Sequence, residues 1–285
     1  MHAAGTGAAA VNALGPRPVE PDAWMTWLRD ALRLAAGRPL PVLALTGAVL
    51  LVFQAIHQIE WVGLRLPLTL LAAPLALAAF IRLAWFLDHG RRIRGAALLP
   101  GNGDLAVAIG CTAIALAVLA GLFIPAEAAV AGFRELVEQA GLWAPVRGDG
   151  IPVPPPLRHT VLGPVLIPGL LFGVAIIATL GLLLAFGQWF LLPMVVLHQP
   201  PLAPALMAAS AAYPLNPVPM TGVLGVVLLA AALLPLTLGW ILPVLLPLAG
   251  LFLYTGYRDV FLAELEEEAV RIEAEEESPD ADPIR

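Results

Sequence analysis

The sequence predicts an all-α protein: a polytopic bundle of six transmembrane helices, with an interfacial helix before it and an acidic helix after it. Three observations predict this. Charged residues make up 13% of the 285-residue chain and apolar residues 60%, whereas an ordinary soluble domain is about 25% charged. The apolar residues gather in four long blocks, Pro39 to Leu87, Leu105 to Ile124, Thr160 to His198 and Val218 to Tyr257. A bilayer core about 30 Å thick takes roughly 20 apolar residues as helix, so one block fits a single crossing and three approach twice that length.

Residues 1–21 are small and flexible. They lack the basic start and continuous apolar core of a signal peptide and are expected to be disordered. Asp22 to Ala36 follows as a helix, with Asp22 placed to cap it. Trp24, Trp27, Leu28, Ala31, Leu32 and Ala35 recur on one face and Arg29, Asp30 and Arg33 on the other. Tryptophan opposite arginine suits the membrane interface.

The membrane domain is read as residues 22–257, with spans at about 40–59, 66–87, 104–124, 160–186, 218–236 and 240–257. Pro39 sets off span one, which closes on the polar cluster Gln54, His57, Gln58 and Glu60, with Arg65 available to Glu60 and Trp61 as an interfacial anchor. Span two ends in the loop DHGRRIRG from Asp88, and PGNGD leads into span three. The outer loop, 125–159, holds a short surface helix from Ala126 and then IPVPPP, which is expected to be extended polyproline.

Thr160 to His198 would be roughly 58 Å long as helix, too long for one upright crossing. No polar turn divides it into two. It is read as one span to about Phe186, then a continuation through Gln188, Trp189 and Pro193 along the interface. Two crossings here would place the C-terminus outside. A proline-punctuated connector, with a short helix over Ala205 to Tyr213, leads to spans five and six. Pro235 and Gly239 turn the chain between them, with Trp240 at the interface.

All 15 basic residues are arginine. With both termini cytoplasmic, Arg17, Arg29, Arg33, Arg38, Arg82, Arg91, Arg92, Arg94, Arg258, Arg271 and Arg285 lie inside, and Arg65, Arg134, Arg147 and Arg158 outside. Arginine retains loops on the cytoplasmic side, so this orientation is the expected one.

Four features are candidates for function. The tail, 258–285, carries eleven acids and three arginines. Anionic headgroups repel it, so as a helix it should project into the cytoplasm. Phe261, Glu264, Leu265, Glu267, Glu268 and Ile272 are its candidate docking residues for a cytoplasmic or membrane protein partner. The cluster Gln54, His57, Gln58, Glu60 and Arg65 is a candidate polar pathway, because ionisable groups in a bundle must be compensated. Arg91, Arg92 and Arg94, beside Arg82, Asp88 and His89, are candidate contacts for anionic lipid. Pro168, Pro193, Pro235, Pro243 and Pro247 are candidate helix breaks of the kind transporters use, and Gly169 with Gly173 is a close-packing pair.

Catalytic patterns are missing: there is no HExxH, CxxC, GxSxG or phosphate-cradling loop. Cys111 is the single cysteine and the five histidines are scattered. No enzyme activity, cofactor, metal or nucleic-acid partner is therefore expected, and the bilayer is the chief partner.

Trp189 to Met220 (WFLLPMVVLHQPPLAPALMAASAAYPLNPVPM), Tyr254 to Phe261 (YTGYRDVF) and Ile81 to Leu98 (IRLAWFLDHGRRIRGAAL) resemble an uncharacterised family of six-span proteobacterial inner-membrane proteins. That family is distantly similar to the membrane domain of some glycerophosphodiester phosphodiesterases. The resemblance implies six spans and a bacterial inner-membrane location, and carries no reaction with it. The expected function is a non-catalytic membrane scaffold or accessory subunit that docks a partner through its acidic tail. The alternative is a small-molecule, ion or lipid transporter using the span-one cluster.

Overall fold

A computed structural model describes residues 15–139, 188–236 and 241–263. Their regular elements are helical: α1 (Ala23–Gly37), α2 (Pro39–His57), α3 (Val62–Asp88), α4 (Asn102–Gln139), α5 (Leu191–His198), α6 (Leu202–Leu215), α7 (Pro217–Leu236) and α8 (Leu242–Tyr257). Short 3-10 turns occupy Gly95–Leu98 and Gln188–Phe190, and a π-helical turn, Arg258–Leu262, follows α8 directly. No strand occurs among the described residues. Span four, the polyproline stretch, the Gly169–Gly173 pair, Pro168, Gly239, Trp240 and the tail from Glu264 lie outside them.

Three helical stretches are long and apolar enough to cross a membrane: Pro39–His57, Leu64–Asp88 and Gly95–Val118. A fourth is reached if α6 and the first part of α7, bent by 101° at Asn216, count as one broken span. On α2, Leu40, Leu43, Leu51 and Val52 stay exposed. In water such a face would promote aggregation, and in a bilayer it is a lipid-facing surface.

Local chemistry sets the boundaries. Proline opens α2, α7 and the first turn of α8, where a missing N–H costs nothing. Gly90 ends α3 at φ +62°, with the Gly90 N–H on the Leu87 carbonyl and the Arg91 N–H on Phe86. That is a Schellman closure, which glycine adopts without strain. Gln199 ends α5 in the left-handed region at φ 48° without being glycine, and Pro200 and Pro201 prevent continuation.

Two expectations are corrected. The surface helix expected from Ala126 is no separate element, because α4 runs unbroken through Pro125 to Gln139. Alanine-rich sequence on both sides sustains the helix past one proline. Asp22 stands at the start of α1 but makes no side-chain cap. The Met25 N–H bonds its backbone carbonyl instead.

α8 is the centre of the bundle and packs chiefly on α1 and α3. Trp27, Phe80, Phe190, Tyr254 and Tyr257 are among the largest fully buried side chains. The Trp27 ring lies edge-on to Phe190 at 6.3 Å, and Phe190 edge-on to Phe261 at 5.6 Å. Close approach depends on glycine at two crossings. A Cβ on Gly250 would stand 2.3 Å from Phe80 Cβ, and one on Gly222 would stand 2.3 Å from Trp24 Cδ1. The apolar face of α1 therefore covers protein at Trp27 and Ala31, where a purely interfacial helix would turn it to lipid.

Candidate functional site

Polar side chains from six elements meet at one end of the bundle. The ends of α3, α5 and α8, the start of α4, helix α1 and the α6–α7 corner all contribute.

Arg258 begins the π turn. Its Nη1 donates to Asp88 Oδ1 at 2.9 Å and Oδ2 at 3.0 Å, and its Nη2 to Asp30 Oδ2 at 3.2 Å. The Tyr254 hydroxyl donates to Asp88 Oδ2 at 2.7 Å. Burial alone would lower the Arg258 pKa, but the hydrogen bond and charge of Asp88, with Asp30, outweigh it and raise it. The guanidinium therefore stays charged.

Asp259 follows and, one residue further round the π turn, faces other partners. It accepts from Arg17 Nη2 at 2.7 Å and from the Trp27 indole at 2.8 Å, while Arg17 Nε donates to its carbonyl at 2.7 Å. The extended arm before α1 is fixed alongside. The Arg17 N–H bonds the Val260 carbonyl, and Asn216 accepts from the Val19 N–H and donates to the Arg17 carbonyl. Thr255 donates to the Trp27 carbonyl at 2.9 Å, joining α8 to α1.

Deeper in the bundle, Arg82 pairs with Asp104, which is 1% exposed. Asp104 also accepts the Gly101 N–H at 2.7 Å and so satisfies the start of α4. Arg82 Nη1, His198 Nε2, Trp189 Nε1 and the Tyr257 hydroxyl are buried without a hydrogen-bond partner among the described residues. The outer network has its charges paired, whereas this inner group retains unused donors, which are uncommon in folded proteins. Burial pushes the His198 imidazole below its ordinary range.

Arg29, Arg33, Arg38, Arg91, Arg92 and Arg94 are exposed around the rim. The Arg91 guanidinium lies 4.7 Å from the Trp85 ring centroid, and the His89 ring packs on Trp85 at 4.8 Å between centroids. Among the described residues no three His, Cys, Asp or Glu side chains gather as a metal site.

The candidates from sequence fall differently. Gln54, His57, Gln58 and Glu60 are exposed and Arg65 is half-buried. No side-chain hydrogen bond or ion pair among the described residues joins these five, and Arg65, available to Glu60 by sequence, is not paired with it. Arg65 instead lies within the first turn of α3, which starts at Val62. Arg82 belongs to the interior, apart from the loop arginines it was grouped with. Phe261 is 3% exposed and stacks on Tyr257 at 5.1 Å, so it serves the core and offers no docking face. Glu264, Leu265, Glu267, Glu268 and Ile272 lie outside the described residues.

Sequence reasoning did not find the Arg258–Asp88–Asp30 and Asp259–Arg17–Trp27 sets. Arg82 and Asp104 carried a signal, a charge within or at the edge of an apolar block, that could have marked them as a pair. No family model, curated protein or solved structure matches this chain.

Proposed function

We propose that the chain is a six-span protein of the bacterial inner membrane, with both termini cytoplasmic, acting without catalysis as a scaffold or accessory subunit. In this reading it holds out its acidic tail to a partner from a rigid base. The observation that carries the reading is at the root of the tail. Arg258 and Asp259, its first two residues, are held by Asp30, Asp88, Arg17 and Trp27. A tail that only aided solubility would need no such fixing. A fixed root limits the volume the tail explores and lowers the ordering cost of docking.

A common side for these segments has support at this end of the bundle, and the arginine distribution makes that side the cytoplasmic one. Positions 30, 88, 104, 199, 216 and 258 fall where a six-span chain returns to its cytoplasmic side, and they gather at one end. The similarity to the six-span inner-membrane family belongs to this proposal and supplies a fold and location only. Transport through the span-one cluster has less support, because those side chains are exposed and share no bond.

The test is gentle-detergent purification from native membranes of the full chain and of a chain ending at Ala263, which keeps the root intact. A stoichiometric protein held by the full chain and lost from the shortened one supports docking. Identical associations in both refute it.

A further inference from the structure

We infer that Arg38, Arg91 and Arg92 form a binding site for the headgroup phosphate of an anionic phospholipid. This goes beyond tail docking and does not depend on it. It extends the loop arginines read from sequence by adding Arg38 from another element.

The first observation is that two corners of the fold lie side by side. Arg38, at the corner between α1 and α2, reaches across to the loop after α3. Its Nη2 lies 4.0 Å from where a Cβ on Gly90 would stand, and Arg91 and Arg92 come next in the chain. All three arginines are exposed.

The second is that the nearby acids among the described residues already have partners. Asp88 and Asp30 are engaged by Arg258, and Asp30 also faces Arg33 at 3.4 Å. Asp259 is engaged by Arg17. Among the described residues no ion pair reaches Arg38, Arg91 or Arg92. Neighbouring arginines with no ion pair among the described residues are relieved by a bound anion.

The third is depth, which selects a lipid over a soluble anion. Leu40 and Leu43, 78% and 65% exposed, begin the lipid-facing side of α2 directly after Arg38. The Arg91 guanidinium is held over Trp85, an aromatic at the same boundary. A phosphate between these arginines leaves its acyl chains against α2, whereas free phosphate gains only the charge interaction.

The probe is phosphatidylglycerol, titrated against phosphatidylcholine of the same chains into the purified full chain and followed by native mass spectrometry. The expected result is a preference for phosphatidylglycerol that falls about fivefold per arginine in R38Q, R91Q and R92Q. R65Q, at the opposite end of α3, should retain it. Equal retention of the two lipids, or an unchanged preference in both R38Q and the triple variant, overturns the inference. Displacement of phosphatidylglycerol by millimolar inorganic phosphate also overturns it, because the site would then take free phosphate. Thermal unfolding of each variant shows that a lost preference is not a lost fold, and R38Q alone decides the matter if the triple variant does not fold.

Discussion

Arg258 holds Asp88 through one guanidinium nitrogen, at 2.9 and 3.0 Å to its two carboxylate oxygens, across 170 residues of sequence. A second nitrogen reaches Asp30. One side chain thus joins α1, α3 and the end of α8. The pair is neither fully buried nor free, with the Arg258 and Asp88 side chains 28% and 20% exposed. Its worth should lie between the near-zero value of a surface pair and the larger cost of breaking a buried one.

R258Q should therefore destabilise the protein by about 2 kcal/mol, since it leaves Asp88 without its cation and Asp30 with only the exposed Arg33. D88N should cost less, because Arg258 keeps Asp30. Thermal unfolding in detergent measures both. A smaller loss in R258Q than in D88N would show that Arg258 is not the centre of this network.

Glycine replacements should divide by position. Gly250→Ala places a methyl 2.3 Å from Phe80 Cβ and 3.4 Å from the Leu77 carbonyl, so α8 must move off α3. A loss of about 2 kcal/mol is expected from such overpacking. Gly47→Ala in α2 meets nothing within 4 Å and should gain up to about 1 kcal/mol from helix propensity. A melting temperature that is unchanged or raised in Gly250→Ala would refute the close crossing there.

The helical class was legible because hydropathy and charge depletion are properties of single segments. Pro39, the PGNGD turn and the DHGRRIRG loop each mark a change of element in the sequence, and elements change there in the structure. The polar end was much less legible. Asp30 read as one residue of a solvated face and Asp88 as part of a loop, since their partner Arg258 is distant in sequence. Trp27 satisfied the pattern of a membrane-interface residue, yet it is 1% exposed and bonded to Asp259. Periodicity gives the apolar face of α1 but cannot say whether lipid or protein covers it. Phe261 reads as a docking residue of the tail for a related reason: the π turn at its position leaves no periodic mark.

Tyr257→Phe should be neutral or stabilising. The hydroxyl is buried without a partner, and removing it takes away an unmet desolvation cost of about 1 kcal/mol while keeping the ring that stacks on Phe261. Unfolding of the purified variant checks this. A clear destabilisation would mean that the hydroxyl bonds a bound ligand or water in the native protein.

Acidification should weaken the protein through His198. In the unfolded chain the imidazole titrates near pH 6.5, and in the folded chain burial holds it lower, beside the Tyr257 ring at 5.9 Å. Between those two values the unfolded state binds a proton that the folded state does not. This contribution to stability is therefore fully present above about pH 6.5 and declines as the pH falls toward the folded value. Unfolding temperatures at pH 7.5 and 5.5 should drop more for the native sequence than for H198Q, which has no imidazole to protonate. Carboxylates of the outer network are common to both proteins, so their effect cancels in the comparison. An equal drop in the two would show that His198 is hydrated in the folded protein and that its ring nitrogen is not left without a partner.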